Sequence, residues 1–123
     1  MTIAFWCVLI AGLMPYGTVL IAKSRKDFDN AKPREWLARL DGYRARAVAA
    51  QLNCFEALPL FAAAVIIASL RGARQDAIDL LAMGFIGARI VYVALYLANL
   101  ATLRSIVWLA GVICVVSMFF VGL

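Results

Sequence analysis

The chain has 123 residues, 66% of them hydrophobic and only 15% charged, with a mean hydropathy of +0.93. A soluble domain of this size cannot hide that much apolar surface, so a lipid bilayer must act as its solvent. The net charge is +5 and histidine is absent; without His, a glycine-rich phosphate loop or a Ser-His-Asp set, the residues for metal-hydrolase, nucleoside-triphosphatase and triad-hydrolase chemistry are missing.

Crossing about 30 Å of hydrocarbon takes about 20 helical residues, and the chain contains four such runs. The first, residues 2–22, carries no charged side chain. Its positive cluster lies downstream rather than upstream, which predicts a retained span and not a cleaved signal. A polar stretch, residues 23–44, follows. Within it Pro33, Trp36, Leu37, Leu40 and Tyr43 fall at near-helical spacing among Arg and Asp, predicting a short helix lying at the membrane interface.

The second span is predicted over residues 45–70, and Arg71, Gly72, Arg74 and Asp76 mark the turn after it. The third covers 77–100 and the fourth 104–123. Both later connections are too short for anything but antiparallel neighbours, so the expected fold is an all-α, four-transmembrane antiparallel bundle in one domain, 1–123. Pro15 and Pro59 are expected to kink their helices. The small residues Gly84 and Ala88 suit either close packing within one subunit or contact between copies, as do the alanines at 45, 47, 49 and 50.

Counting Lys and Arg by loop sets the expected orientation. Lys23, Arg25, Lys26, Lys32, Arg34, Arg39, Arg44 and Arg46 belong to the first loop and Arg104 to the third, against Arg71 and Arg74 on the other side. The positive-inside rule then puts loops one and three in the cytoplasm and both termini opposite. The same charge accounts for contact with anionic lipid headgroups and needs no nucleic acid. Cys7, Cys54 and Cys114 sit on three different spans without metal-ligand spacing, and read as packing residues.

Polar side chains at membrane depth carry the functional signal, because an ionisable group at the bilayer centre costs about 2.5–3.5 kcal/mol on insertion scales. Asn53 and Glu56 share a face of the second span with Ala49 and Arg46, while Gln51 points away. Arg89, Tyr92, Tyr96 and Asn99 form a continuous stripe on the third. Counted from the same membrane face, Asn53 and Tyr92 lie eight residues deep, and Arg104 and Ser105 open the fourth span just above them. These groups therefore converge on one level. A purely structural alternative pairs Glu56 with Arg89 to lock the bundle.

The segments AQLNCFEALPLF (50–61), GARIVYVALYL (87–97) and LRSIVWL (103–109) together resemble the MAPEG superfamily of membrane-associated proteins in eicosanoid and glutathione metabolism, and its small bacterial members most of all. The resemblance spans nearly the whole chain. It implies a homotrimer in a bacterial inner membrane, with glutathione as co-substrate in clefts between subunits and lipophilic small molecules arriving from the bilayer. By position, Asn53, Glu56, Tyr92 and Tyr96 match glutathione-contacting residues, and Gln51 matches a position reached from the adjacent subunit. Arg89 matches a structural or ligand-facing arginine. Arg104 and Ser105 match the arginine and serine near the thiol, with a spacing from Tyr96 that differs by one residue from the prostaglandin enzyme. Ala49 stands where many catalytic members carry an arginine, a loss for which Arg46 is one turn away, and Ala57 stands where the eicosanoid enzymes carry an aromatic.

The side chains suit that ligand on chemical grounds as well. Arg and Tyr hold carboxylates and Glu56 receives an ammonium. A guanidinium about 4 Å from the thiol, at an effective dielectric near 20, contributes on the order of 4 kcal/mol toward the thiolate before desolvation. Three readings follow: a glutathione-dependent transferase or peroxidase acting on hydrophobic electrophiles, a non-catalytic member binding lipid or a partner protein, and a small multidrug exporter. The exporter ranks last, since that class resembles one with its carboxylate in the first helix and short loops.

Overall fold

A computed structural model describes residues 1–24, 27 and 29–122. Arg25 and Lys26, counted above among the first-loop cations, and Leu123 lie outside the described residues. Among the described residues five helices follow one another: α1 (Ile3–Ala22), α2 (Pro33–Ala38), α3 (Gly42–Leu70), α4 (Gln75–Leu97) and α5 (Ala101–Phe120). All but α2 are long and apolar enough to cross a membrane. The chain is thus an integral membrane protein built as a four-helix bundle. Pro15 and Pro59 both sit inside continuous helical segments.

α3 starts three residues and α4 two residues earlier than the sequence reading, at Gly42 and Gln75, and three further boundaries differ for local reasons. α4 stops at Leu97 because Asn99 adopts a left-handed backbone, φ 60°. Its N–H donates to the Tyr96 carbonyl and that of Leu100 to Leu95, which together close the helix as a Schellman motif. Asn99 therefore leaves the polar stripe and becomes a helix terminator. α5 then begins at Ala101, so Arg104 and Ser105 lie at the end of its first turn rather than at its first residues. α2 is only six residues long and ends before Leu40 and Tyr43. Gly72, φ 71°, closes α3 by the same motif, with N–H groups of Gly72 and Ala73 donating to Ser69 and Ala68.

The dry core occupies the half of the bundle away from the long loop. There Phe61 and Phe85 stack at 4.1 Å, among buried Ala4, Cys7, Val65, Ile78, Ala82 and Met118. Small residues set the helix spacing. A Cβ on Gly84 would stand 3.2 Å from the Cys114 sulfur, and one on Gly111 would stand 3.6 Å from the Ala88 Cβ. Gly84 and Ala88 thus pack α4 on α5 within one subunit, and Ala47 and Ala50 are fully buried inside it as well.

Helix ends are satisfied by side chains from other helices. Arg44 Nε donates to the Ala22 carbonyl that ends α1 (2.8 Å), while its guanidinium pairs with Asp27 and lies over Trp36. Arg46 donates twice to Leu97, the last residue of α4, at 3.2 and 3.1 Å. Arg71 donates to Phe119 near the end of α5 at 2.7 Å. At the other pole of α1, Thr2 accepts from the Phe5 N–H, and Asp79 of α4 accepts from the Ala4 N–H at 2.9 Å. Cations at helix C-termini and an anion at an N-terminus each oppose the helix dipole.

Two outcomes follow for detergent-solubilised protein. Arg44→Met strands the Ala22 carbonyl and is expected to lower unfolding stability by about 1–3 kcal/mol, seen as an earlier thermal transition. Gly84→Leu forces α4 and α5 apart and is expected to cost about 1–3 kcal/mol, whereas Gly12→Leu, on an open surface, is expected to leave the transition in place.

Candidate functional site

The loop-side half of the bundle is polar where the other half is dry. Its elements are the middle of α3, the second half of α4 and the start of α5. The helical periods of 3 and 4 on α4 turn Arg89, Tyr92 and Tyr96 to one face. Arg104 and Ser105 reach the same level from α5 because the connection at 98–100 is short.

Two adjoining crevices result. The polar one, about 220 Å³, is lined by Asn53, Tyr92, Tyr96, Arg104, Ser105 and Trp108. The apolar one, about 200 Å³, is lined by Asn53, Glu56, Ala57, Leu60, Phe85, Trp108, Val112 and Val115. Asn53 and Trp108 belong to both. Among the described residues the first contains a cation and no acid, and the second an acid and no cation. They form two lobes of opposite polarity.

Aromatic stacking orders the polar lobe. The Arg104 guanidinium lies 4.2 Å over the Tyr96 ring, Tyr96 meets Tyr92 edge-on at 5.7 Å, and Arg89 lies 4.2 Å over Tyr92. Such cation–ring contacts contribute about 0.5–2 kcal/mol each. Arg89 itself is buried, with Nη2 donating to the Cys54 sulfur at 3.4 Å, and it lines neither lobe. No ion pair joins it to Glu56 among the described residues, so the expected Glu56–Arg89 lock is replaced by a stack that runs away from Glu56. Glu56 is instead exposed, about halfway along α3.

The remaining sequence-predicted residues are placed differently. Arg46 donates twice to the Leu97 carbonyl and lines neither lobe. Gln51, half-buried on another face of α3, also lines neither. Ser105 Oγ donates to the Ala101 carbonyl at 3.1 Å, and presenting that proton to a ligand requires giving up this bond. Asn53 Oδ1 is buried without a hydrogen-bond partner among the described residues. The residue lines both lobes, but this oxygen is closed off, so an external donor reaches it only when the amide turns.

Trp108 is the residue that sequence reasoning missed. It lies one turn beyond Arg104 on the same face, and extending the spacing rule from Arg104 through Trp108 to Val112 and Val115 finds it. Asp79 was also legible as an acid within an apolar span, although its role is structural.

The sequence profile of the MAPEG family matches residues 3–123, and the chain belongs to that family. No curated protein and no solved structure matches it.

The unpaired amide gives a prediction of definite sign. In ligand-free protein Asn53→Leu removes a buried, unsatisfied acceptor, and is expected to hold or raise unfolding stability by up to about 2 kcal/mol. A loss of stability in thermal unfolding would show that Oδ1 is already engaged.

Proposed function

We propose that the chain is a glutathione-dependent transferase or peroxidase that acts on lipophilic electrophiles, assembled as a homotrimer with its sites between subunits. The observation that carries this reading is the pair of opposite-polarity lobes joined at Asn53 and Trp108. A tripeptide with two carboxylates, one ammonium and one thiol needs both kinds of wall. Tyr92 and Tyr96 suit its acidic groups, and Glu56 suits its amine. Glutathione supplies the nucleophilic sulfur. Arg104 stabilises the thiolate by charge and Ser105 by hydrogen bonding, while the released proton passes to solvent.

Two features favour assembly. Each lobe is smaller than the roughly 300 Å³ at which ligand pockets begin, and a neighbouring copy supplies the missing wall. Glu56 is exposed midway along a membrane helix, where facing lipid costs about 2.5–3.5 kcal/mol on insertion scales. A subunit interface with a wet cleft removes that cost. The orientation that fits the charge distribution puts the long loop in the cytoplasm of a bacterial inner membrane.

The engagement of Arg46 at Leu97, together with Ala49, favours one second reading: a non-catalytic member that holds a lipid or a partner protein in the same clefts. Turnover separates the two. Glutathione added to purified protein is expected to raise thiolate absorbance at about 240 nm. Arg104→Ala is expected to abolish that signal and lower kcat by about 10²-fold with binding retained, whereas Glu56→Gln raises KM by about tenfold. Equal turnover in all three proteins would overturn the assigned roles, and the absence of thiolate with saturating glutathione would leave the non-catalytic reading.

A further inference from the structure

The short helix α2 carries a hollow of mixed charge that neither lobe uses. A cation stands at each of its ends, Lys32 at the N-cap and Arg39 at the C-cap, and Glu35 and Trp36 lie between them on the same side, at helical spacings of 3 and 4. With Asp29 from the preceding turn, these side chains line a space of about 240 Å³. Asp29 is held in place by accepting the Ala31 N–H at 3.0 Å. Glu35 stands four residues before Arg39, the order in which opposite charges on a helix pair best. Among the described residues no ion pair joins them; Glu35 instead meets Lys32 at 4.0 Å, a long contact between side chains 62% and 70% exposed, which costs little to give up. The hollow therefore offers separate negative and positive walls with no net charge. Arg44 fixes its height. From the first turn of α3 its Nε donates to the Ala22 carbonyl that ends α1, and its guanidinium lies 5.0 Å from the centre of the Trp36 ring. α2 is thus tied to the level at which α1 leaves its apolar run, the depth of lipid headgroups, where indole rings settle.

We propose that the hollow on α2 binds the headgroup of a membrane phospholipid whose phosphate is joined to a primary ammonium, with Arg39 on the phosphate, Glu35 and Asp29 on the ammonium and Trp36 as the wall against the two-carbon link. That link holds the two charges about as far apart as residues on neighbouring turns of a helix, about 5–6 Å. A phosphate with a neutral alcohol headgroup satisfies Arg39 but brings net negative charge to two carboxylates, and a quaternary ammonium has no N–H to donate to them. The loop as a whole is basic, which by itself favours anionic lipid, so a preference for the zwitterion has to come from this balanced set of charges. No residue of α2 lines either lobe, and the assignment stands apart from the glutathione reading.

The test is calorimetric titration of the full-length protein in detergent, at low salt, with dihexanoyl phosphatidylethanolamine, phosphatidylglycerol and phosphatidylcholine, each against protein-free micelles. The ethanolamine lipid is expected to bind saturably and at least about threefold more tightly than either of the others. Glu35→Gln is expected to remove the preference over phosphatidylcholine, and Arg39→Gln to weaken binding of the ethanolamine lipid by about threefold. Both side chains are exposed, and comparison of the three lipids on the unaltered protein keeps the test decisive even if a variant fails to fold. Equal affinity for the three lipids or tighter binding of phosphatidylglycerol overturns the inference, as does unchanged binding in either folded variant. Soluble phosphoethanolamine binding as tightly as the lipid also overturns it, since the ligand is then a free metabolite and not the membrane.

Discussion

The last turn of every membrane helix exposes carbonyl oxygens that hydrocarbon cannot solvate, and the arrangement of this bundle follows from how those oxygens are met. Two ends are closed by left-handed residues, Gly72 and Asn99. Three, the α4 end again among them, draw a guanidinium from a different helix or its edge: Arg44 at the end of α1, Arg46 at the end of α4 and Arg71 at the end of α5. Each bond fixes the relative height of two helices. Because the donors are arginines, with several N–H groups on a planar fork, one side chain can hold a carbonyl and still pair elsewhere, as Arg44 does with Asp27. Basic residues that a count by loop treats as topology signals are therefore also the pegs that set helix register.

Sequence patterns conveyed the parts of this structure that depend on period and length alone. The apolar runs give the four spans. Spacing on α4 gives the face shared by Arg89, Tyr92 and Tyr96, and short connections bring that face level with Asn53 and Arg104. What the patterns could not convey was the choice of partner. Arg46 shares a helical face with Asn53, yet a nearby helix end claims it. Arg89 and Glu56 have opposite charges at similar depth, yet an aromatic ring and a sulfur hold the cation. Asn99 continues the polar spacing, but its ease in the left-handed region makes it a better terminator than a fourth stripe residue. In each case backbone geometry or a tertiary contact outbid a correct periodicity.

The bundle divides its work along its length. Alanines, glycines and the Phe61–Phe85 stack hold the half remote from the long loop, where there is little to titrate or solvate. That firm half leaves the other free to carry polar groups without losing the fold. The buried, unsatisfied oxygen of Asn53 is the clearest sign of that freedom, since a chain selected for stability alone would have filled or paired it. Phe85 and Val115 reach from the dry half into the apolar lobe, so the boundary between scaffold and crevice runs through single side chains.

The Asn99 turn has a further consequence for how this chain can vary. Ala98, Asn99 and Leu100 alone separate α4 from α5, with Arg46 clamped on the near side and the stacked Arg104–Tyr96 pair on the far side. A helix rotates by about 100° per residue, so inserting or deleting one residue there swings Arg104, Ser105 and Trp108 toward a different neighbour. Elsewhere in the molecule a loop can lengthen at small entropic cost. Here three residues behave as a gauge block, and descendants of this sequence can alter almost any lining side chain more safely than they can alter that count.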